Sequence, residues 1–478
     1  GIPVPNAANT RNSGRKGEEM VTRRTPWFLS IGVCLALVMG IVGCAPAAAP
    51  PTATPKAAAP TAPTAAPASP APATSVPSGQ APSQPVAGTK KIVIGFTTSA
   101  TGSMNLPSKK QIEGLRLWLD NVTKAGGIKL KDGTVLMPEI KYYDDESKTD
   151  RVQALYTKLI NEDKVDFLIS PYSSGLARAA AVVSEQNGKV MITTGAADDS
   201  TMEQGFKNIY QMYTPGSRYL IGAIDMFKEL DPTAKKIAIV YEKDSFSTAV
   251  AKAAEPYAKS KGYEVTVYDG YDSGTTDFAP FINKIIATSP DAILGGGHFQ
   301  DGTTFAKQLY EKKIQTKFVA LLVAPPEPTF SEIGDAAQYI VGPSQWEPDA
   351  TYSPDSAKKA NLPWYGITVK DFVDGYKAKF NSMPSYHSAG GYAAALMLQK
   401  AIEDSDSVDR AKVVAALDKL NLMTFYGHVQ FGTDAKTHGK QVAHDMIYIQ
   451  WQKDSAGKLG TKIVWPPAAQ SASPQLRK

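Results

Sequence analysis

Strand–helix alternation predicts an α/β protein of two lobes, each a parallel sheet flanked by helices. Three observations carry this expectation. Short apolar, β-branched runs recur: KIVIGF at 91–96, VDFLIS at 165–170, VMITT at 190–194, KIAIVY at 236–241 and DAIL at 291–294. Unbroken apolar runs suit strands covered on both faces. From Lys90 onward the chain holds about 390 residues, more than one such core supports, so two cores are expected. Finally, VDFLISPYSSGLARAA (165–180) and PDAILGGGHFQDGTTFAKQ (290–308) repeat one order: Asp, apolar strand, small polar loop, helix. Such counterparts point to two similar lobes.

Each element follows from its local pattern. After the first strand, Thr97–Asn105 reads as a small polar loop and Ser108–Gln111 as a capping box. Ile112, Leu115, Trp118, Leu119 and Val122 form one helical stripe, and Gly126-Gly127 ends it. Strand 139–143 and a helix over 150–161 follow, then strand 165–170 with helix 176–186, and strand 190–194. From Tyr210 the pattern restarts: helix 219–230, strand 236–241, helix 246–261, strand 263–268, helix 278–287, strand 291–294, helix 301–312, strand 318–323. Beyond Asp335 the spacing predicts helices over 364–380, 387–403 and 409–420, with closing antiparallel strands at 429–431, 443–451 and 462–465 and a frayed tail over 466–478.

The N-terminal part is of another kind. Arg23-Arg24 precede sixteen apolar or small residues, Trp27–Val42, that end in Ile41-Val42-Gly43-Cys44. A basic segment, a short apolar segment and small residues before a cut describe a secretory signal. As helix the run would span about 24 Å, short of a bilayer core of about 30 Å. Ile-Val-Gly-Cys resembles the bacterial lipobox, which implies cleavage before Cys44 and lipid on its sulfur. The first Met is Met20, so residues 1–19 read as a leader upstream of the true start and 20–43 as the signal. Residues 44–89, built from Ala, Pro, Thr and Ser, read as an extended linker.

Composition excludes several function classes. Residues 1–43 hold five basic and two acidic residues, so the formal +5 of the chain falls to +2 without them, a balance unlike that of nucleic-acid binders. The cysteines are Cys34 and Cys44, which leaves no disulfide and no thiolate metal site beyond the signal. Gly-x-Ser-x-Gly and a P-loop are absent, and Gly295–Gly297 lacks dinucleotide spacing. His438 and His444 read as solvated turn residues and Asp144–Glu146 as a turn. No nucleophile–base–orienter set assembles, so no enzyme, cofactor or metal site is expected.

In open α/β sheets ligands sit beyond the carboxyl ends of strands, where helix N-termini offer N–H groups. The loops that fit are 98–103, 171–175, 195–199, 242–246 and 295–301. Ser173 and Ser174 suit a carboxylate, Gly195 and Ala197 allow close backbone approach, and Phe246, His298 and Tyr386 suit an apolar wall. For each, capping or turn formation is an equal alternative.

The order of Thr101-Gly102-Ser103, Leu168–Gly175, Thr194–Ala197, Tyr241–Phe246, Gly295–Phe299, Tyr386–Tyr392 and Thr424–Gly427 resembles the branched-chain-amino-acid-type periplasmic binding proteins of ABC transporters over about Lys90–Trp465. The resemblance implies a type I two-lobed fold with three crossings near Tyr213, Gln345 and Phe425. Lobe one would hold 90–213 and 346–424, lobe two 214–345 and 425–465. It implies that Ser173 or Ser174, with Gly195 and Ala197, hold the carboxylate and amino group of a small ligand, an amino acid or related carboxylate or amide; Thr101, Gly102, Phe246, His298 and Tyr386 complete the expected site. Ala197 stands where Ser or Thr is common, Phe246 where Tyr is common, and the acid for a ligand ammonium has no clear equivalent, Glu327 being near. These departures turn the expectation from leucine toward a less polar acid, an amide or an aromatic solute. Partners would be an ABC permease with its ATPase, and the membrane through the lipid. The chain would be a monomer outside the cytoplasm, with a ligand sensor of a signalling system as the alternative.

Overall fold

The computed structural model describes residues 88–477, so the leader, the signal, Cys44 and most of the linker lie outside the described residues. The first sheet contains β1 (Thr89–Thr98), β2 (Ile128–Lys129), β3 (Val135–Asp144), β4 (Phe167–Ile169), β5 (Met191–Thr193) and β6 (Ile209–Gln211). Its order is β2-β3-β1-β4-β5-β6, parallel except for β2. Helices α1 (Asn105–Lys124), α2 (Thr149–Asn161), α3 (Ser174–Gln186) and the short α4 (Asp199–Met202) belong to it.

The second sheet contains β7 (Lys236–Glu242), β8 (Glu264–Tyr271), β9 (Ala292–Gly296), β10 (Phe318–Leu321) and β11 (Ile340–Ser344), with α5 (Ile221–Leu230), α6 (Ser245–Ser260), α7 (Ala279–Thr288) and α8 (Phe299–Glu311) between them. Then come α9 (Pro354–Lys359), α10 (Val369–Phe380), α11 (Tyr386–Ser405) and α12 (Arg410–Leu417), and a separate hairpin of β12 (Asn421–Thr424) and β13 (Gly427–Gln430). Strands β14 (Ile447–Lys453) and β15 (Leu459–Trp465) close the second sheet, in the order β15-β14-β11-β10-β9-β7-β8, with β14 and β15 antiparallel.

The two counterpart segments do the same job in each sheet. Asp166, before β4, accepts the Val93 N–H of β1 at 2.7 Å. Asp291, before β9, accepts the N–H groups of Lys235 and Lys236 at 2.8 and 3.0 Å as β7 begins. Each carboxylate ties the start of one strand to its neighbour, and each strand then delivers a loop and a helix N-terminus to the same end of its sheet.

Helix α11 returns to the first sheet and packs on α1 nearly backbone to backbone. A Cβ at Gly114 would lie 1.9 Å from the Ser388 carbonyl oxygen, and one at Gly391 would lie 2.1 Å from that of Gln111. The Ala- and Gly-rich face of α11 is thus a requirement of this contact, which fixes Tyr386 and His387 at its N-terminus.

The chain passes between the sheets three times, and the three passages are bonded together. Thr214 donates its N–H to Gln345 Oε1 (3.0 Å) and its hydroxyl to the His444 carbonyl (2.9 Å). His444 Nε2 donates to the Gln345 carbonyl (2.7 Å). The third passage falls at His444, not at Phe425. Residues 427–440 still pack on the first sheet: Phe431 meets the Tyr210 ring, and Gln211 donates its N–H to the Gly439 carbonyl.

Other expectations need correction. Helix α1 begins at Asn105, so Ser108 is no cap; its hydroxyl instead accepts the Ser99 N–H and ties the helix to the end of β1. Helix α10 starts only at Val369, capped by Thr368, because Trp364 bridges to Met423 and Gly366 adopts φ 90°. Strands β2, β6 and β11 were not expected; each is short or interrupted by Gly-Pro. The segment 466–478 is not frayed over its described residues, since Ser471, Gln475 and Arg477 bond to Ile463, Gln450 and Lys317. His438 and His444 are not solvated turn residues: His438 bonds the Phe206 carbonyl and Asp418, and His444 is fully buried. Among the described residues no helix is long and apolar enough to cross a membrane.

Candidate functional site

The loops from both sheets meet around one small cavity walled by buried side chains. From the first sheet come Tyr172, Ser174, Gly195, Ala197, Tyr386 and His387; from the second sheet and the first passage come Tyr213, Tyr219, Phe246, His298 and Val323. The rings contact one another edge-on or tilted, with Tyr219–Phe246 centroids 5.0 Å apart, Tyr172–His387 5.0 Å and Phe246–His298 5.9 Å. Such packing gives the cavity stiff apolar walls.

Tyr172 and His298, from the two counterpart loops, join the sheets directly: Tyr172 Oη and His298 Nδ1 are 2.8 Å apart. On its other side His298 Nε2 lies 2.8 Å from Asp244 Oδ2. Burial opposes charge on His298, but Asp244, Glu242 and Asp301 outweigh it and raise the imidazole to about 9. The ring is therefore an imidazolium at neutral pH, donating from both nitrogens. Burial raises the Asp244 carboxyl, yet the His298 charge and hydrogen bond carry it below its ordinary value. Burial pushes Glu242 and Asp301 up, partly offset by His298. Glu242, Asp244 and His298 offer donor atoms within 4.8 Å of one another, and the imidazolium already provides that cluster with a cation.

A second link across the cavity joins His387 Nδ1 to Glu327 Oε1 at 2.5 Å. Both side chains are buried, at 1% and 0% exposure. Facing a carboxylate, Nδ1 carries a proton, and His387 Nε2 has no hydrogen-bond partner. Glu327 does not itself line the cavity, and its Oε2 is buried without a partner.

Of the residues expected from the sequence, Ser174, Gly195, Ala197, Phe246, His298 and Tyr386 come together here. Ser173 caps α3 without a side-chain bond and does not line the cavity. Thr101 and Gly102 stand elsewhere: Thr101 donates to Asp144, and Gly102 packs on Ser147. Asp144 and Asp145 form the turn that holds this loop, with Asp145 accepting from Thr97 and Ser99. Ser174 Oγ accepts the Ala197 and Asp198 N–H groups at 3.0 and 3.2 Å, so Ala197 presents no free N–H and Ser174 keeps its own proton to donate. Gly195 adopts φ 70°, and a Cβ there would press within 2.7 Å of both Gln111 Oε1 and the Tyr172 ring. Tyr172, Tyr213, Tyr219, Val323 and His387 were missed. Tyr172 lay inside the Ser-rich loop already singled out, and His387 is adjacent to Tyr386; Tyr213 and Tyr219 flank the first passage and Val323 follows the end of β10, where no motif marks them.

A periplasmic binding protein family model matches residues 91–458. The Leu/Ile/Val-binding protein homolog 8 of Brucella melitensis is 26% identical over 400 residues, 82% of this chain and 94% of that protein. Among solved structures, the branched-chain amino acid transporter substrate-binding protein LivJ of Streptococcus pneumoniae, in complex with isoleucine, has a TM-score of 0.64 at 21% identity, covering 79% of this chain and all of its own. A solute-binding protein of an ABC transporter from R. palustris, in complex with benzoate, has a TM-score of 0.65 at 17% identity, covering 80% and 98%. These likenesses show the fold.

Proposed function

The chain belongs to the periplasmic binding protein family, with its type I fold, and on that premise we propose that it captures a small solute in the cavity and delivers it to an ABC permease outside the cytoplasm. The observation that carries this reading is the convergence of rings and hydrogen-bonding groups from both sheets in one buried cavity beside three bonded passages.

In this reading the two sheets and their helices are the lobes, and the passages at Thr214, Gln345 and His444 are the hinge. Tyr172–His298 and His387–Glu327 close across the cleft, and the solute adds its own contacts to the closed form. Binding shifts the population toward closure, and the closed form is what a permease reads. Ser174, Gly195, Phe246, Tyr386, His298, Tyr172 and His387 contact the solute, and Cys44 carries the lipid anchor. The closely bonded Tyr, His and acid groups hold lobes together and bind; no catalytic step is assigned to them.

Thermal unfolding of the full chain, stripped by denaturation and refolding, tests the reading. The panel holds aliphatic and aromatic amino acids, their amides, urea, and aliphatic and aromatic acids. A ligand at 100 times its dissociation constant is expected to add about 2.7 kcal/mol. A panel without any shift counts against solute capture.

A further inference from the structure

We propose that the solute is a carboxylate that carries no ammonium group, with a flat, preferably aromatic, body. This rests on the solute-binding reading above and names the class of solute. An amino acid brings two charges into the site, and a buried ammonium without a carboxylate partner is costly. No carboxylate lines this cavity. The two acids bonded to lining imidazoles are Asp244 and Glu327. Asp244 Oδ2 is bonded to His298 Nε2, and its Oδ1 accepts the Ser247 N–H at 2.7 Å to cap α6. Glu327 Oε1 is bonded to His387 Nδ1 and its Oε2 is buried without a partner, but Glu327 is not among the lining residues, where Val323 presents an apolar wall.

The groups that face the cavity include several donors, beside the unpartnered His387 Nε2, which accepts. The Ser174 hydroxyl has its acceptor side filled by two backbone N–H groups, which leaves its proton for a ligand oxygen. The first turn of the 13-residue α3 receives no side-chain cap from Ser173, so its N–H groups and positive end stay open to an anion. Because the His298 imidazolium donates to Tyr172 Oη, the phenol proton is left for another acceptor, and Tyr172 lines the cavity. Burial raises the Tyr172 phenol well above its ordinary value, so that proton stays in place. One positive ring, three kinds of donor and no carboxylate among the lining residues match a monocarboxylate. The remaining wall, the rings of Tyr219, Phe246 and Tyr386, matches a flat apolar body.

Matched pairs of compounds that differ by the ammonium alone decide this. Calorimetry on the refolded full chain would compare leucine with 4-methylpentanoate, phenylalanine with 3-phenylpropanoate, and benzoate alone. The expected result is that each acid binds at least tenfold more tightly than its amino acid, with an aromatic acid the tightest. Leucine or phenylalanine binding more tightly than its acid overturns the assignment and leaves solute capture standing. Silence from all five compounds overturns it too, and the wider panel above then decides solute capture separately. In Tyr172→Phe, checked for folding by thermal unfolding, acid binding is expected to fall about tenfold to a hundredfold, as for a lost hydrogen bond to a charged group. Unchanged acid affinity in that variant would refute the role of the phenol proton, and the paired comparison on the unaltered chain stands independently of it.

Discussion

Two buried histidines, one in the cleft and one in the hinge, are driven to opposite charge states. His298 is 6% exposed and His444 0%, so burial penalises a charge on both. At His298 three carboxyls overturn that penalty and the ring rises to about 9. At His444 the ring meets the Gln345 carbonyl through Nε2 and stacks on Tyr426, 4.7 Å away and 8° from parallel. Burial there lowers it to about 4, against smaller contributions from that carbonyl and Asp445. The partner, not the depth, decides. The link between the sheets at His298 is held by charge, whereas Thr214, Gln345 and His444 at the passages are held to one another by hydrogen bonds among neutral groups.

The largest effect should come from breaking the charged side of this comparison. His298→Gln leaves Asp244, Glu242 and Asp301 buried without their cation, a loss of about 3–5 kcal/mol at pH 7. Denaturant unfolding at pH 7 and pH 10 measures it. The cost should shrink at pH 10, where the unaltered ring has lost its proton. An equal loss at both pH values would show that packing, not charge, is what the ring provides.

A smaller effect separates the two histidines by pH. His298 is raised from an ordinary 6.5 to about 9, so its contribution is complete below pH 6.5 and is lost as pH rises through 9. Glu347, pushed by burial to about 8, and the raised Glu242 and Asp301 act in the same direction. His444 is lowered to about 4, so stability is lost as pH falls from 6.5 toward 4, where the unfolded ring takes a proton that the folded ring refuses. Its charged neighbours are Asp445, Arg218 and His428. Each shift corresponds to ~3 kcal/mol. In stability–pH profiles, His444→Gln should flatten the acid arm and leave the alkaline arm as it was, and His298→Gln should flatten the alkaline arm. If both variants changed the same arm, the contrast between cleft and hinge would be lost.

This contrast also explains what the sequence made legible. The alternating strands and helices were readable because apolar runs bounded by Gly and polar loops depend on local pattern alone. The paired segments at 165–180 and 290–308 even located the two loops that bond across the cleft. What stayed hidden depends on pairs far apart in the chain. Tyr172 and His298 are 126 residues apart and His387 and Glu327 are 60 apart, so neither acid–base link has a local signature. The third passage was placed at Phe425 because the hairpin there looks like a closing strand, although Gly427–Lys440 stays on the first sheet. Ser108 read as a cap because its spacing to Gln111 is right, while the real use of its hydroxyl, toward Ser99, lies across a loop.

The smallest effect tests the neutral side. Thr214 is fully buried, and its hydroxyl donates to the His444 carbonyl at 2.9 Å. Thr214→Val keeps the shape and removes that donor. The carbonyl retains a longer bond from Arg218 Nη1 at 3.3 Å, so it is not left without a partner. The Thr214 N–H still bonds Gln345 Oε1, and the first two passages stay joined. The expected cost is therefore about 1 kcal/mol, that of one neutral hydrogen bond, and it should be the same at pH 6 and pH 9. Denaturant midpoints at the two pH values check this. A cost that grew with pH would tie the hinge to the His298 network, and the two regions would then have to be treated as one electrostatic unit.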